Sequence, residues 1–199
     1  MQNVTKASTV VTGVRLACIA VWIIVILGCV TTYFIYPDFF TAERIALFLQ
    51  QFRAEIWTVY LLMSTVRGMT LLPSTPLVLA GTILFPGEPW PVFGVSLAGI
   101  FLSSSMIYYF SNFLGFADYF EGRKPEFVAK IRQRFEHPTG FVFVAVWAFF
   151  PFVPTDAICY AAGTSRMSFW KFIAAILLGE SVLCSFYVFS GGYLMHILR

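Results

Sequence analysis

Charge is scarce in this sequence. Asp, Glu, Lys and Arg together make 12% of its 199 residues, about half the share of a soluble domain. A chain so poor in charge cannot cover a water-facing surface, which excludes a soluble globular protein. It also lacks a basic excess. Thirteen Lys and Arg against ten Asp and Glu leave a formal charge of +3, no footprint for nucleic acid. Cysteine is sparse. Cys18, Cys29, Cys159 and Cys184 all sit in apolar runs and form no Cys-x-x-Cys pair, so they read as small buried hydrophobes. The two histidines, His137 and His196, lack metal-ligand spacing. No metal and no cofactor is expected. There is no Gly-x-Ser-x-Gly, no His pair and no Asp pair on one span, and Ser103-Ser104-Ser105 has no partner His. These absences argue against an enzyme, and no catalytic residue is assigned.

What is present is apolar and aromatic. Hydrophobic residues make 59% of the chain, with 23 Phe, 9 Tyr and 5 Trp, a composition suited to lipid. The few charges divide it. Leu16–Pro37 is uncharged, long enough to span, and lacks a small-residue cleavage site at Thr31-Thr32-Tyr33, so it reads as a retained helix. Asp38–Glu55 carries Ile45, Phe48, Leu49, Phe52 and Ile56 at helical spacing, the pattern of an amphipathic helix in the membrane interface. Residues 56–87 hold one charge, Arg67, and the break Pro73-Ser-Thr-Pro76. The arms Ile56–Thr70 and Leu77–Phe85 are each too short to cross. Residues 89–117 are an uncharged full span, with Gly94, Ala98, Gly99, Ser103, Ser104 and Ser105 as a small-residue packing face. Asp118–His137 is polar, and Phe127, Ile131 and Phe135 line one side of a second amphipathic helix starting at Pro125. Residues 138–165 repeat the broken design around Pro151-Phe-Val-Pro154, between arms Thr139–Phe150 and Ala157–Gly163. Residues 168–195 form the last span and contain Glu180.

The order is therefore a repeat. An amphipathic helix, a re-entrant hairpin broken by Pro-x-x-Pro and closed by Ala-Gly (Ala80-Gly81, Ala162-Gly163), and a long span occur twice after an N-terminal span. The expected fold is an all-α integral membrane protein: residues 1–37 as N-terminal segment and helix, residues 38–199 as an inverted-repeat membrane domain. With a cytoplasmic N-terminus, Lys6, Arg15, Arg123, Lys124, Lys130, Arg132, Arg134, Arg166 and Lys171 lie inside, against Arg44, Arg53 and Arg199 outside. That asymmetry follows the positive-inside rule. Inverted repeats with half-helices broken near the midplane are the layout of secondary transporters. Trp57, Trp90 and Trp170 fall at segment ends as an interfacial belt requires, whereas Trp22 and Trp147 do not.

Three charges lie at membrane depth, where a charged side chain costs about 2.5–3.5 kcal/mol on insertion scales. Arg67 either binds an anionic headgroup through its planar fork or pairs with Asp156 and locks the two tips. Asp156 with Thr155 either caps the second back arm or carries a proton. Glu180 is a second candidate proton carrier, with a structural hydrogen bond as the alternative. The half-helix starts at Pro76 and Pro154 would turn positive dipole ends to the centre. The candidate substrate-binding set is Arg67, Pro73, Pro76 and Gly81 in the first hairpin and Pro151, Pro154, Asp156, Tyr160 and Gly163 in the second. Asp156 and Glu180 form the candidate proton-coupling set. Arg123, Lys124, Lys130, Arg132 and Arg134 are expected to contact anionic lipid at the membrane surface.

Phe149-Phe-Pro151-Phe-Val-Pro154-Thr-Asp156-Ala-Ile-Cys-Tyr160-Ala-Ala-Gly163, followed by Ser165-Arg166-Met167-Ser168, resembles the second proline hairpin of the DedA / VTT-domain superfamily (SNARE-associated Golgi protein-like). Arg67, Pro73, Pro76 and Ala80-Gly81 resemble the first, and Gly122-Arg123 resembles the Gly-Arg after the middle span. The resemblance covers roughly residues 55–195. It implies a lipid flippase or scramblase, for polyprenyl phosphate in bacterial members and phospholipids in eukaryotic ones, with a link to the proton motive force. Ala148 stands where the family usually has Arg, and Cys159 where Asn is common, which favours a divergent branch. The expected protein is a multi-pass lipid transporter in a bacterial plasma membrane. Its candidate partners are membrane lipids, an anionic headgroup as substrate, protons and a second copy in a homodimer. A non-transporting scaffold and an ion or small-solute channel are the alternatives.

Overall fold

The computed structural model describes residues 2–114, 125–151 and 153–197, and among them it is helical without strands. Among the described residues nine α-helices follow one another: α1 (Gln2–Ile35), α2 (Ala42–Gln50), α3 (Ile56–Arg67), α4 (Thr75–Leu84), α5 (Pro89–Phe113), α6 (Pro125–Glu136), α7 (Pro138–Phe149), α8 (Thr155–Thr164) and α9 (Phe169–Ile197). Three contain stretches long and apolar enough to cross a bilayer: Gly13–Ile35 of α1, Pro89–Phe113 and Phe169–Ser190 of α9. The short helices α4 and α8 have ten residues each and measure about 15 Å at 1.5 Å per residue, half a hydrocarbon core. Residues 115–117 of the expected middle span, Phe152 of the second break, and Gly122, Arg123 and Lys124 lie outside the described residues.

The prolines set the two breaks. After α3 the chain tightens into a turn at Gly68–Thr70, and Leu71 takes a left-handed backbone, φ 59°. Such a residue is strained by about 1–2 kcal/mol. Pro76 then sits in the first turn of α4, where its missing N–H has no helical partner to lose. Pro154 is the N-cap residue of α8. That helix ends at Thr164; two residues on, Arg166 is left-handed (φ 55°), and the Met167 N–H donates to the Ala162 carbonyl at 3.0 Å. This bond closes the helix in the manner of a Schellman cap.

The packing is crossed. The first arm of each broken pair, α3 or α7, lies on the long helix that follows it, α5 or α9. The second arm, α4 or α8, lies on the long helix of the other half, α9 or α5. The long helices are antiparallel, for Trp90 meets Phe189 at 4.9 Å at one end and Tyr108 stacks on Phe172 at 5.2 Å at the other. The Trp57 ring, in the first turn of α3, stacks on Phe85, just after α4, at 4.0 Å, so the two arms of the first pair leave and return at the same end. Trp57 is thereby packed into the fold instead of facing the interface. Trp90 and Trp170 are exposed, as a belt requires.

Small residues permit these approaches. On α5 the buried small side is Ser96, Gly99, Ser103, Ser104 and Ser111. Gly94 and Ala98, expected on it, are exposed, and Ser105 is half-buried and donates to its own helix at Phe101. A Cβ on Gly99 would lie 2.3 Å from the Ser64 Cβ of α3. Ala148 is fully buried, and a Cβ on Gly179 of α9 would stand 2.8 Å from the Ala148 Cβ. A side chain longer than that of Ala148 would run into α9 there.

The helix α2 shows how lipid alters an amphipathic reading. Thr41 caps it, its hydroxyl accepting from the Arg44 N–H at 3.4 Å. Leu49 and Ala46 are buried, Leu49 against Tyr60 and Leu77, whereas Phe48 and, just past the helix end, Phe52 are exposed and meet edge to face. Where the surroundings are as apolar as the core, a hydrophobic side chain is not driven inward. Helix α1 follows the same rule. From Gly13 onward its large apolar side chains are mostly exposed, and along a half-buried stripe of Cys18, Trp22, Ile26, Val30 and Tyr33, Trp22 meets Phe110 and Tyr160 and Tyr33 meets Phe40.

Candidate functional site

The two breaks meet, and their charges meet with them. Arg67, the last residue of α3, donates from Nη1 to the Leu72 carbonyl at 2.7 Å and to Asp156 Oδ2 at 3.4 Å. Its side chain is 11% exposed and that of Asp156 4%, so the pair is withdrawn from solvent. Arg67 is thus fixed by its own loop and reaches the other half through one carboxylate oxygen.

Asp156 does not cap α8. The N-cap is Pro154, which makes no side-chain cap bond, and the neighbouring Thr155 hydroxyl donates instead to Glu180 Oε1 of α9 at 2.7 Å. Glu180 is 1% exposed, and its Oε2 has no hydrogen-bond partner among the described residues. A buried carboxylate satisfied at one oxygen is rare, because an unmet buried acceptor costs about 1–3 kcal/mol, more when charged. Arg67, Asp156 and Glu180 lie close enough to act on one another electrostatically.

Of the remaining candidate residues, the prolines frame this cluster. Pro73, Pro151 and Pro154 line a cavity of about 170 Å³ together with Arg67 and Asp156. Pro73 and Pro76 line a larger groove of about 720 Å³ that also reaches Arg67. Arg67 therefore borders both spaces. Gly81 and Gly163 are contact positions away from the charges. A Cβ on Gly81 would lie 2.7 Å from the Tyr60 hydroxyl, and one on Gly163 would lie 2.5 Å from the Tyr108 carbonyl oxygen and 1.9 Å from Ser111 Oγ. Tyr160 points to α1, its hydroxyl accepting from Trp22 Nε1 at 2.9 Å.

Several participants carry no sequence signal. The Leu72 carbonyl and Thr155 hold the ionisable groups, and neither residue type advertises that task. The two tryptophans that miss the interfacial belt have inner roles: Trp22 binds Tyr160, and Trp147 Nε1 donates to the Pro154 carbonyl at 3.3 Å across the second break. On the polar helix α6, Lys130 and Arg134 are exposed, and Arg132 pairs with Glu136 at 3.7 Å. Lys171 of α9 donates to the Glu136 and His137 carbonyls, tying the junction of α6 and α7 to α9.

Three membrane-length helices joined by two proline-broken pairs define an integral membrane protein. The VTT domain matches residues 72–193, more than half the chain. The chain belongs to the VTT-domain family, the DedA / SNARE-associated Golgi protein family of membrane proteins. No curated protein and no solved structure matches it.

Proposed function

We propose that this protein moves an anionic, phosphate-bearing lipid, such as polyprenyl phosphate or a phospholipid, across the bilayer as a flippase or scramblase with proton coupling. The observation that carries the reading is the Arg67–Asp156 contact at 3.4 Å, made where two proline breaks and two cavities meet. A guanidinium with one long ionic contact retains donors for a phosphate, which it binds through two parallel N–H bonds. The first turns of α4 and α8 lack side-chain caps; Leu77 and Ala157 already donate to the Ser74 and Pro154 carbonyls, which leaves the Thr155 and Asp156 N–H groups beside the smaller cavity as donors for an anion. A phosphate taking Asp156's place on Arg67 leaves that carboxylate unpaired in a dry site, where it takes up a proton. Glu180, held at one oxygen only, is the second proton station.

The re-entrant, inverted arrangement belongs to this reading and has geometric support. The base of the first broken pair sits at the α5 end that bears Val92, next to Gly81, and α8 ends near Ser111 at the opposite end of α5. The two pairs thus approach the common centre from opposite ends of one long helix. The positive-inside count favours a cytoplasmic N-terminus, and a bacterial plasma membrane would supply the proton gradient for such coupling.

The test is translocation of fluorescent phosphate-bearing lipids in proteoliposomes, with and without a pH gradient, across pH 5–9. Wild type should translocate with a pH-dependent rate. Glu180→Gln should flatten that profile, and Asp156→Asn should lower the rate at every pH. A flat wild-type profile refutes the proton linkage and leaves passive scrambling. No translocation at any pH refutes the transport reading.

A further inference from the structure

The groove of about 720 Å³ runs between α2, α3 and the first break, with Phe48, Leu62, Val66 and Leu77 in its walls. Two charged residues line it among those described, Arg44 and Arg67, and no carboxylate does. Arg44 stands in the first turn of α2, exposed, with its guanidinium 5.8 Å over the Phe39 ring, and it makes no ion pair among the described residues. A hydrocarbon-lined trough with a cation at each station, and nothing to neutralise the outer one, is complementary to an anion that carries a long apolar chain. A soluble anion has no use for the walls, and a neutral lipid has none for the arginines.

We propose that this groove is the loading site for a phosphate-bearing lipid, which docks with its headgroup on Arg44 and its hydrocarbon chain along the α3 wall before the headgroup passes to Arg67. The proposal rests on the transport reading and adds to it a first binding station and a chain subsite. The amphipathic helix α2 supplies the outer cation, and the first break supplies the inner one. Arg67 borders the groove on one side and the cavity shared with Asp156 on the other, so a headgroup arriving there meets the ionic pair from the groove side. The exposed Phe39 beneath Arg44 keeps its guanidinium at the groove by cation–π contact.

The experiment uses the full chain in neutral detergent micelles and measures fluorescence anisotropy of a chain-labelled phosphatidate. Arg44→Gln should weaken binding about tenfold, the effect of losing one charge-assisted contact. Val66→Trp, at an exposed wall position, should weaken it comparably by filling the trough. Arg53→Gln, on the same surface but outside the lining, should bind as wild type. Unlabelled phosphatidate should displace the probe at far lower concentration than inorganic phosphate. Wild-type binding by both Arg44→Gln and Val66→Trp, with Arg67→Gln still impaired, overturns the loading site and spares the transport reading. Wild-type binding by Arg67→Gln as well removes the headgroup role of Arg67 and both readings with it. An Arg53→Gln loss equal to that of Arg44→Gln, or displacement by inorganic phosphate as effective as by the lipid, shows general surface charge or a phosphate site without a chain subsite, and also overturns it.

Discussion

Removing Arg67 separates its part in holding the fold from its part in handling lipid. Arg67→Ala deletes a hydrogen bond to the Leu72 carbonyl and the ionic contact to Asp156. Stripping one partner from a buried pair costs about 3–5 kcal/mol. The 3.4 Å separation is long beside the usual 2.7–2.9 Å of a charge-assisted bond, so about 3 kcal/mol is the appropriate end of that range. The orphaned carbonyl adds about 1 kcal/mol. Against these stands the relief of about 3 kcal/mol from taking a charge out of the membrane centre. The net is a loss of about 1 kcal/mol, small enough for the variant to insert and fold. Asp156→Asn alone should destabilise by about 3 kcal/mol, because Arg67 then stays buried without its counter-ion. The double variant, with neither charge, should be at least as stable as wild type. Unfolding midpoints of the purified proteins in detergent measure the four corners of this cycle. Lipid translocation should be absent in both proteins that lack Arg67, whatever their stability, and Arg67→Lys should restore it in part, since a point charge lacks the planar fork. Additive destabilisation in the double variant would refute the pairing, and translocation by Arg67→Ala at the wild-type rate would refute the headgroup role.

Two further outcomes test the packing and the topology. Gly163→Ala should destabilise by about 1–3 kcal/mol as an overpacked contact, and adding Ser111→Ala should not rescue it. The Ser111 hydroxyl can turn away, but the Tyr108 carbonyl, 2.5 Å from the new methyl, is backbone. Full rescue, read as an unfolding midpoint, would place the strain on the serine instead. Single cysteines introduced at Glu88 and Arg123, in a background without the native cysteines, should react with an impermeant reagent from outside and from inside respectively. Reaction from the same side would overturn the opposed entry of the two broken pairs.

The elements of this fold are legible along the chain, and their partnerships are not. Each Pro-x-x-Pro marks a break because proline forbids the helical bond there, and Arg67, Asp156 and Glu180 stand out because charge at membrane depth is expensive. The choice of Asp156 over Glu180 as the partner of Arg67 depends on how two breaks some eighty residues apart meet, which no local pattern encodes. Thr155 followed by Asp156 has the residue types of a helix cap, yet Pro154 occupies the cap position and the Thr155 hydroxyl turns to Glu180. Ser96 and Ser111 join the small side of α5 while Gly94 and Ala98 leave it, because size alone does not say which side of a helix meets a neighbour. The outward phenylalanines of α2 have the same origin. Apolar periodicity identifies a helix at the membrane, but with lipid on one side and protein on the other it does not say which takes the larger rings.

The crossed arrangement of the arms has a consequence for how the chain is made. Helix α4 rests on α9, which begins at Phe169, more than eighty residues after α4 ends at Leu84. During synthesis the first half therefore enters the membrane with α4 resting on α2 but with its α9-facing side bare, and that side waits until nearly the whole polypeptide has emerged. A helix of half-membrane length cannot settle across the bilayer alone. Neither half is a unit that matures by itself, and a chain truncated before Phe169 should leave a product that insertion and quality-control machinery must hold or destroy.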